Sequence, residues 1–161
     1  MKKPILVGVG VLVLLILVRL GVSLASPGDD RTQILEQLNK SLEASREGKS
    51  GGVMDLLSNK LMVNNQEASQ GFSQVVDYIK TNHPDITVEH PDPIIRGGQA
   101  EIDSPVDIKV HILTMEKTVH LKEVMLVFKK EGGLKWGFFP TSIWRLVQVD
   151  SPDSVAADLA Q

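Results

Sequence analysis

The chain has 161 residues, enough for one domain with a substantial core and too few for two independent ones. Its net charge is −3 with no basic block, which excludes the Lys/Arg footprint that nucleic-acid binding requires. With no cysteine, disulfides, thiolate nucleophiles and cysteine metal sites are excluded as well.

Lys2 and Lys3 precede an uncharged run from Pro4 to Val18, the positive-then-apolar order of an export signal. Continued as a helix to Leu24, residues 4–24 span roughly 31 Å, close to the hydrocarbon thickness of a bilayer. Arg19 then lies near the far end, where its side chain can reach the headgroups. The same residues also fit a leader with Ser23-Leu24-Ala25 as a small-x-small cleavage site. Two expectations stand: a retained signal-anchor over residues 1–25, with a cytoplasmic N-terminus and an extracytoplasmic body, or a secreted or periplasmic body released near Ala25. Residues 1–25 hold three bases and no acid, so the remainder carries −6.

Ile34, Leu35, Leu38 and Leu42 recur at helical spacing behind Asp30 and Gln33, which stand at capping-box separation. They predict a helix over about 30–46 that the glycines of "REGKSGG" end. Ser50 can cap a short second helix carrying Val53, Met54, Leu56 and Leu57, and Leu61-Met62-Val63 is an apolar run ending in a turn at Asn64-Asn65. A third helix, about 69–81, carries Phe72, Val75, Val76 and Ile79 on one side and stops before Pro84. Beyond it the apolar period becomes two. A strand from Ile86 to Glu89 is broken by "HPDP", and Val106, Ile108, Val110 and Ile112 mark a long alternating strand. Glu116-Lys117 reads as a hairpin tip, Thr118 to Lys130 as the return strand, "KKEGGLKW" as a glycine turn and about 134–149 as the last strand. The body is therefore expected over 26–149, with 150–161 a small polar tail.

A helix, "REGKSGGVMDLLS", a short strand, "NNQEASQGFSQVVDYIK" and then strands ending in "GGLKWGFF" resemble the nuclear transport factor 2-like (SnoaL-like) superfamily over about residues 30–149. The resemblance implies an α+β fold of cystatin/nuclear transport factor 2-like type: a curved antiparallel sheet wrapped on three N-terminal helices as a cone with an internal cavity, here preceded by one transmembrane helix. The superfamily includes isomerases, dehydratases, hydrolases, transport factors and secretion-system scaffold subunits behind a single membrane helix. Its enzymes place an Asp base or an Asp/His pair in the cone, often with Tyr donors.

Tyr78, the only tyrosine, stands beside Ile79 on the third helix. His83, His90, His111 and His120 show neither i, i+4 nor H-x-H spacing, so no metal site is expected, and no P-loop, G-x-S-x-G or dinucleotide pattern calls for a cofactor. The side taken by Glu123 depends on hairpin register. A two-residue turn at Glu116-Lys117 pairs Met115 with Thr118 and puts Glu123 on the apolar face of Val106, Ile108 and Ile112. A three-residue turn pairs Val110 with Val124, Ile108 with Leu126 and Val106 with Phe128, and turns Glu123 outward.

Either register leaves one apolar set, Val124, Leu126 and Phe128 or Val119, Leu121, Met125 and Val127, facing away from the helices. The last strand is apolar on both sides. The leading expectation is thus a membrane-anchored extracytoplasmic binding or scaffold module, non-enzymatic, that associates through Met125, Val127, Phe139 and Val147 as a homodimer or with an envelope protein. The alternative is a carrier of a small apolar ligand, or a lyase- or isomerase-type enzyme, with Glu123, Tyr78 and His111 as acid–base candidates and Tyr78, Trp136 and Phe138 lining the cavity.

Overall fold

The computed structural model describes residues 29–112, 115–135 and 139–151. The chain forms two units, 1–33, of which 29–33 are described, and 34–161, which contains the sheet and the core. The expected membrane segment and residues 152–161 of the expected tail lie outside the described residues. Among the described residues no helix is long and apolar enough to cross a membrane.

Helix α1 runs Asp30–Arg46, α2 Ser50–Met54 and, after a single 3-10 turn at Ser69–Gly71, α3 runs Phe72–Asn82. Asp30 is already helical, and the Gln33 N–H bonds the carbonyl of Asp29, so the helix begins one residue before the position that the capping pattern marks. Ile34, Leu38, Ser41, Ala44 and Ser45 form the buried stripe of α1. Its C-terminal end is tied to the chain after α3: buried Ser45 Oγ donates to the Pro84 carbonyl at 2.9 Å, and the Arg46 guanidinium donates twice to Asp85 Oδ1, at 3.0 and 2.7 Å. Gly48, which follows α1, is fixed as glycine by two conditions. Its φ is +72°, and a Cβ there would lie 2.5 Å from the ring of His83. His83 is itself left-handed, at φ 45°, and closes α3 with its N–H on the Ile79 carbonyl.

The strands are β1 (Leu57–Val63), β2 (Gln66–Glu67), β3 (Asp85–Val88), β4 (Ile94–Arg96), β5 (Gln99–Ile112), β6 (Met115–Lys135) and β7 (Phe139–Asp150). They make one curved sheet in the order β2-β1-β7-β6-β5-β3, with β4 also on β5. The turn foreseen at Asn64-Asn65 is there, with φ of 48° and 63°, and pairs Val63 with Gln66. The expected all-antiparallel sheet is in fact mixed, because β1 and β7 run parallel. No tight turn joins those two strands, so nothing local dictates their relative direction.

Both strand turns expected from the sequence are displaced. Ile112 pairs with Met115, so Glu116 and Lys117 are ladder residues opposite His111 and Val110. Gly132 and Gly133 pair with Ser142 and Thr141, and β6 continues to Lys135, which makes Leu134 part of β6 and starts β7 at Phe139. Charge and glycine weaken a strand without ending it, and long two-sided pairing outweighs them here.

Neither of the two proposed registers holds, because the register changes partway. Ser104 pairs with Val124 but Val106 with Leu121, so Lys122 and Glu123 together oppose Pro105, which has no N–H for the ladder. This bulge changes the parity of β6. Val119 and Leu121 before it, and Val124, Leu126 and Phe128 after it, all lie on one buried face, each no more than 8% exposed. A second bulge leaves Val147 between the Gln148–Val127 and Leu146–Phe128 pairs and keeps Trp144, Leu146 and Val149 on the same face. The two rival apolar sets of β6 are thus merged in one core, and only Met125 and Val127 remain turned away.

Replacing exposed Glu123 with Ala should change stability by no more than about 0.5 kcal/mol. Deleting it removes the bulge and turns Val119 and Leu121 outward, at about 1.5–3 kcal/mol for each lost burial. Urea unfolding midpoints of the two variants measure the contrast; equal midpoints would refute the parity role.

Candidate functional site

The core between sheet and helices is built from large apolar side chains. Trp144, Phe128, Ile102 and Ile34 are each 0% exposed, and the buried polar or charged residues among those described are all serines, at 41, 45, 50, 58 and 104. Ser45 bonds the Pro84 carbonyl, Ser58 donates to Glu131, and Ser104 accepts the His90 N–H at 2.9 Å. Among the described residues no buried side-chain polar atom lacks a partner.

The acid–base candidates are not brought together. Glu123 stands exposed on the bulge of β6 and lines an outer hollow of about 480 Å³ with Asn64, Asn65, Asp103, Met125 and Asp150. Tyr78 is not in that lining; it sits on α3, 40% exposed, its phenol held above the usual tyrosine range by partial burial. The side chains of His111, Trp136, Phe138 and Phe139 lie outside the described residues. Of the interface candidates, Met125 is 37% exposed, Val147 half-buried at the second bulge, and Val127 only 5% exposed.

The outer face, opposite the core, is organised in rows by the ladder. Ile94, Glu101, Val127, Gln148 and Met62 form a central row across five strands. On one side of it lies the row Asp103, Met125 and Asp150, with Glu123 beyond; on the other lie Arg96, Gln99, Lys129 and Arg145. The face is therefore apolar at points along its centre, acidic toward one end of the strands and basic toward the other. The Arg145 guanidinium also braces β1, donating to the carbonyls of Asp55 and Leu57 at 2.8 and 3.2 Å, with Nε 3.6 Å from the Glu131 carboxylate.

Farther along the acidic end, Asp107 of β5 is paired across the ladder with His120 of β6, and Asp107 Oδ1 lies 2.5 Å from His120 Nδ1. Glu89, just past β3, adds its carboxylate to them. Sequence spacing hides this group, because its members are neighbours only through the β3–β5–β6 register. The signal is the alternation itself, which places Asp107 and His120 on the polar side of their strands.

No family model and no curated protein matches the sequence. Solved structures do match in fold. The S. rosetta CaMKII hub has a TM-score of 0.57 at 18% identity, over 80% of this chain and all of that one. A ketosteroid isomerase-like protein from Erwinia carotovora atroseptica has 0.56 at 10%, over 79% and 99% of the two chains. An NTF-2 like protein from Shewanella oneidensis has 0.54 at 14%, over 76% and 98%. The chain has the nuclear transport factor 2-like fold.

Because partial burial disfavours the phenolate, Tyr78 should ionise above the roughly pH 10 of an unfolded chain. The sign follows: its contribution to stability is present below about pH 10 and is lost as pH rises through the folded value. As the sole tyrosine, it gives a single ultraviolet titration step, which should move down when urea unfolds the protein. A native midpoint at or below the denatured one would contradict this placement.

Proposed function

We propose that the chain is a non-enzymatic association module of nuclear transport factor 2-like fold, held at the outer side of a membrane by residues 4–24 and pairing with a second copy through the outer face of its sheet. The observation that carries this reading is the polarity of that face about Val127. Two positions along β6 toward the basic end is Lys129, beside Arg145; two positions toward the acidic end is Met125, between Asp103 and Asp150. A two-fold axis in the interface plane, perpendicular to the strands and passing over Val127, lays the basic row of each copy on the acidic row of the other. It also stacks the apolar side chains of the central row, Ile94 and Met62, on their counterparts. One patch serves both copies, as two-fold symmetry demands. Strand side chains are held by the ladder, so little freedom is lost on docking.

Among the described residues no ionisable side chain is buried, which weighs against an acid–base enzyme working from the interior. Association is also a use to which this fold is put: a kinase hub and a kinase association domain from Xanthomonas campestris share it.

Lys129→Glu should weaken the dimer about tenfold or more, because it sets like charges against each other across the interface. Asp103→Lys should do the same, and the two together should restore pairing. Sedimentation equilibrium of the detergent-solubilised full chain at tens of micromolar reads all three; a monomeric wild type, or a double variant no better than the singles, would end the face-to-face reading.

The tether has its own check. Residues 4–24 should stay with the membrane through alkaline carbonate extraction, and N-terminal sequencing should find them intact. A soluble mature chain starting at Ser26 would leave export without an anchor.

A further inference from the structure

Strand register gathers one nitrogen and two oxygen donors from three chain segments. Thr87 pairs with Asp107 and Asp107 with His120, so the latter two stand side by side on the outer face. Glu89 is placed by its own backbone: its N–H bonds the carbonyl of Pro105 at 3.1 Å, just past the last β3–β5 pair, Val88 with Val106. One ligand atom from each of Glu89, Asp107 and His120 lies within 4.8 Å of the other two.

An imidazole with two carboxylates is the donor set that zinc and neighbouring transition ions take, whereas calcium takes six to eight oxygens. Four-coordinate zinc with ligands at about 2.0–2.2 Å needs donors roughly 3.3–3.5 Å apart, inside the spread of these three atoms. The Asp107–His120 contact is shorter than that, so an ion entering between them displaces the shared hydrogen and separates the pair by small side-chain rotations. All three groups are accessible: Glu89 and His120 are exposed and Asp107 half-buried.

We propose that Glu89, Asp107 and His120 form a surface site for one divalent transition-metal ion of the zinc type, with water completing the coordination. The ladder supplies the rigidity, since two ligands are adjacent strand residues and the third is pinned to the same β5 backbone.

The test uses zinc alone, titrated calorimetrically into the full chain in detergent without a polyhistidine tag, with calcium in parallel. One zinc per chain is expected, and little calcium. His120→Gln and Asp107→Asn should each weaken zinc binding roughly tenfold or more, whereas Asp77→Asn, an exposed carboxylate on α3 outside the group, should leave it unchanged. All three substitutions replace solvent-accessible side chains by others of similar size, and thermal melts confirm that the fold is kept. Zinc binding that survives both His120→Gln and Asp107→Asn, that disappears with Asp77→Asn, or that calcium equals would overturn the site, as would a wild type that takes up no zinc.

Discussion

Pro105 cannot donate a backbone hydrogen bond, and the arrangement of the sheet follows from that gap. Opposite it, β6 takes an extra residue, Lys122 or Glu123, and its alternation shifts by one. Odd-numbered apolar positions on one side of the bulge and even-numbered ones on the other therefore reach the same core. Without this shift a strand as long as β6 would turn one half of its apolar set to solvent. The neighbouring groups use the same locus: the Pro105 carbonyl accepts from both the Glu89 N–H and Ser104 Oγ, and the Ser104 hydroxyl receives the His90 N–H. One proline thus sets the face of β6 and anchors the segment that leaves β3.

The edges of the sheet are protected by their shape. At one, β2 is only two residues long. At the other, β3 and β4 share the side of β5 but are separated by His90-Pro91-Asp92-Pro93, whose prolines cannot extend a ladder. Short and proline-broken edges resist strand addition, which leaves the broad face as the larger accessible surface of the sheet. That face is held by well-paired strands, and its charges are sorted by row rather than scattered.

Much of this was legible in the residues. The apolar stripe of Ile34 and Leu38, the turn at Asn64-Asn65, the end of α3 before Pro84 and the long alternation of β5 each rest on local preference that tertiary packing reinforces. The misplaced features were those in which distant pairing outvoted a local signal. Glu116-Lys117 and Gly132-Gly133 read as turns in isolation but are held in ladders by partners on a neighbouring strand. The direction of β7 beside β1 has no local signature at all. The side of Glu123 was open for a physical reason: both candidate registers assumed one uniform pairing, and the bulge at Pro105 breaks it. The Glu89, Asp107 and His120 group was hidden by the same ignorance of register, since its members are scattered along the sequence.

The parallel pairing of β1 with β7 joins Val63 to Val149, the first strand of the sheet to the last. β1 is the first strand of the sheet to be synthesised, yet its partner on that side is the last. Local hairpins such as β5–β6 can close early, but this contact requires closing a long loop, which is slow in chains of high contact order. Until the final strand arrives, one side of β1 is an open edge, the kind of surface on which an incomplete chain mispairs.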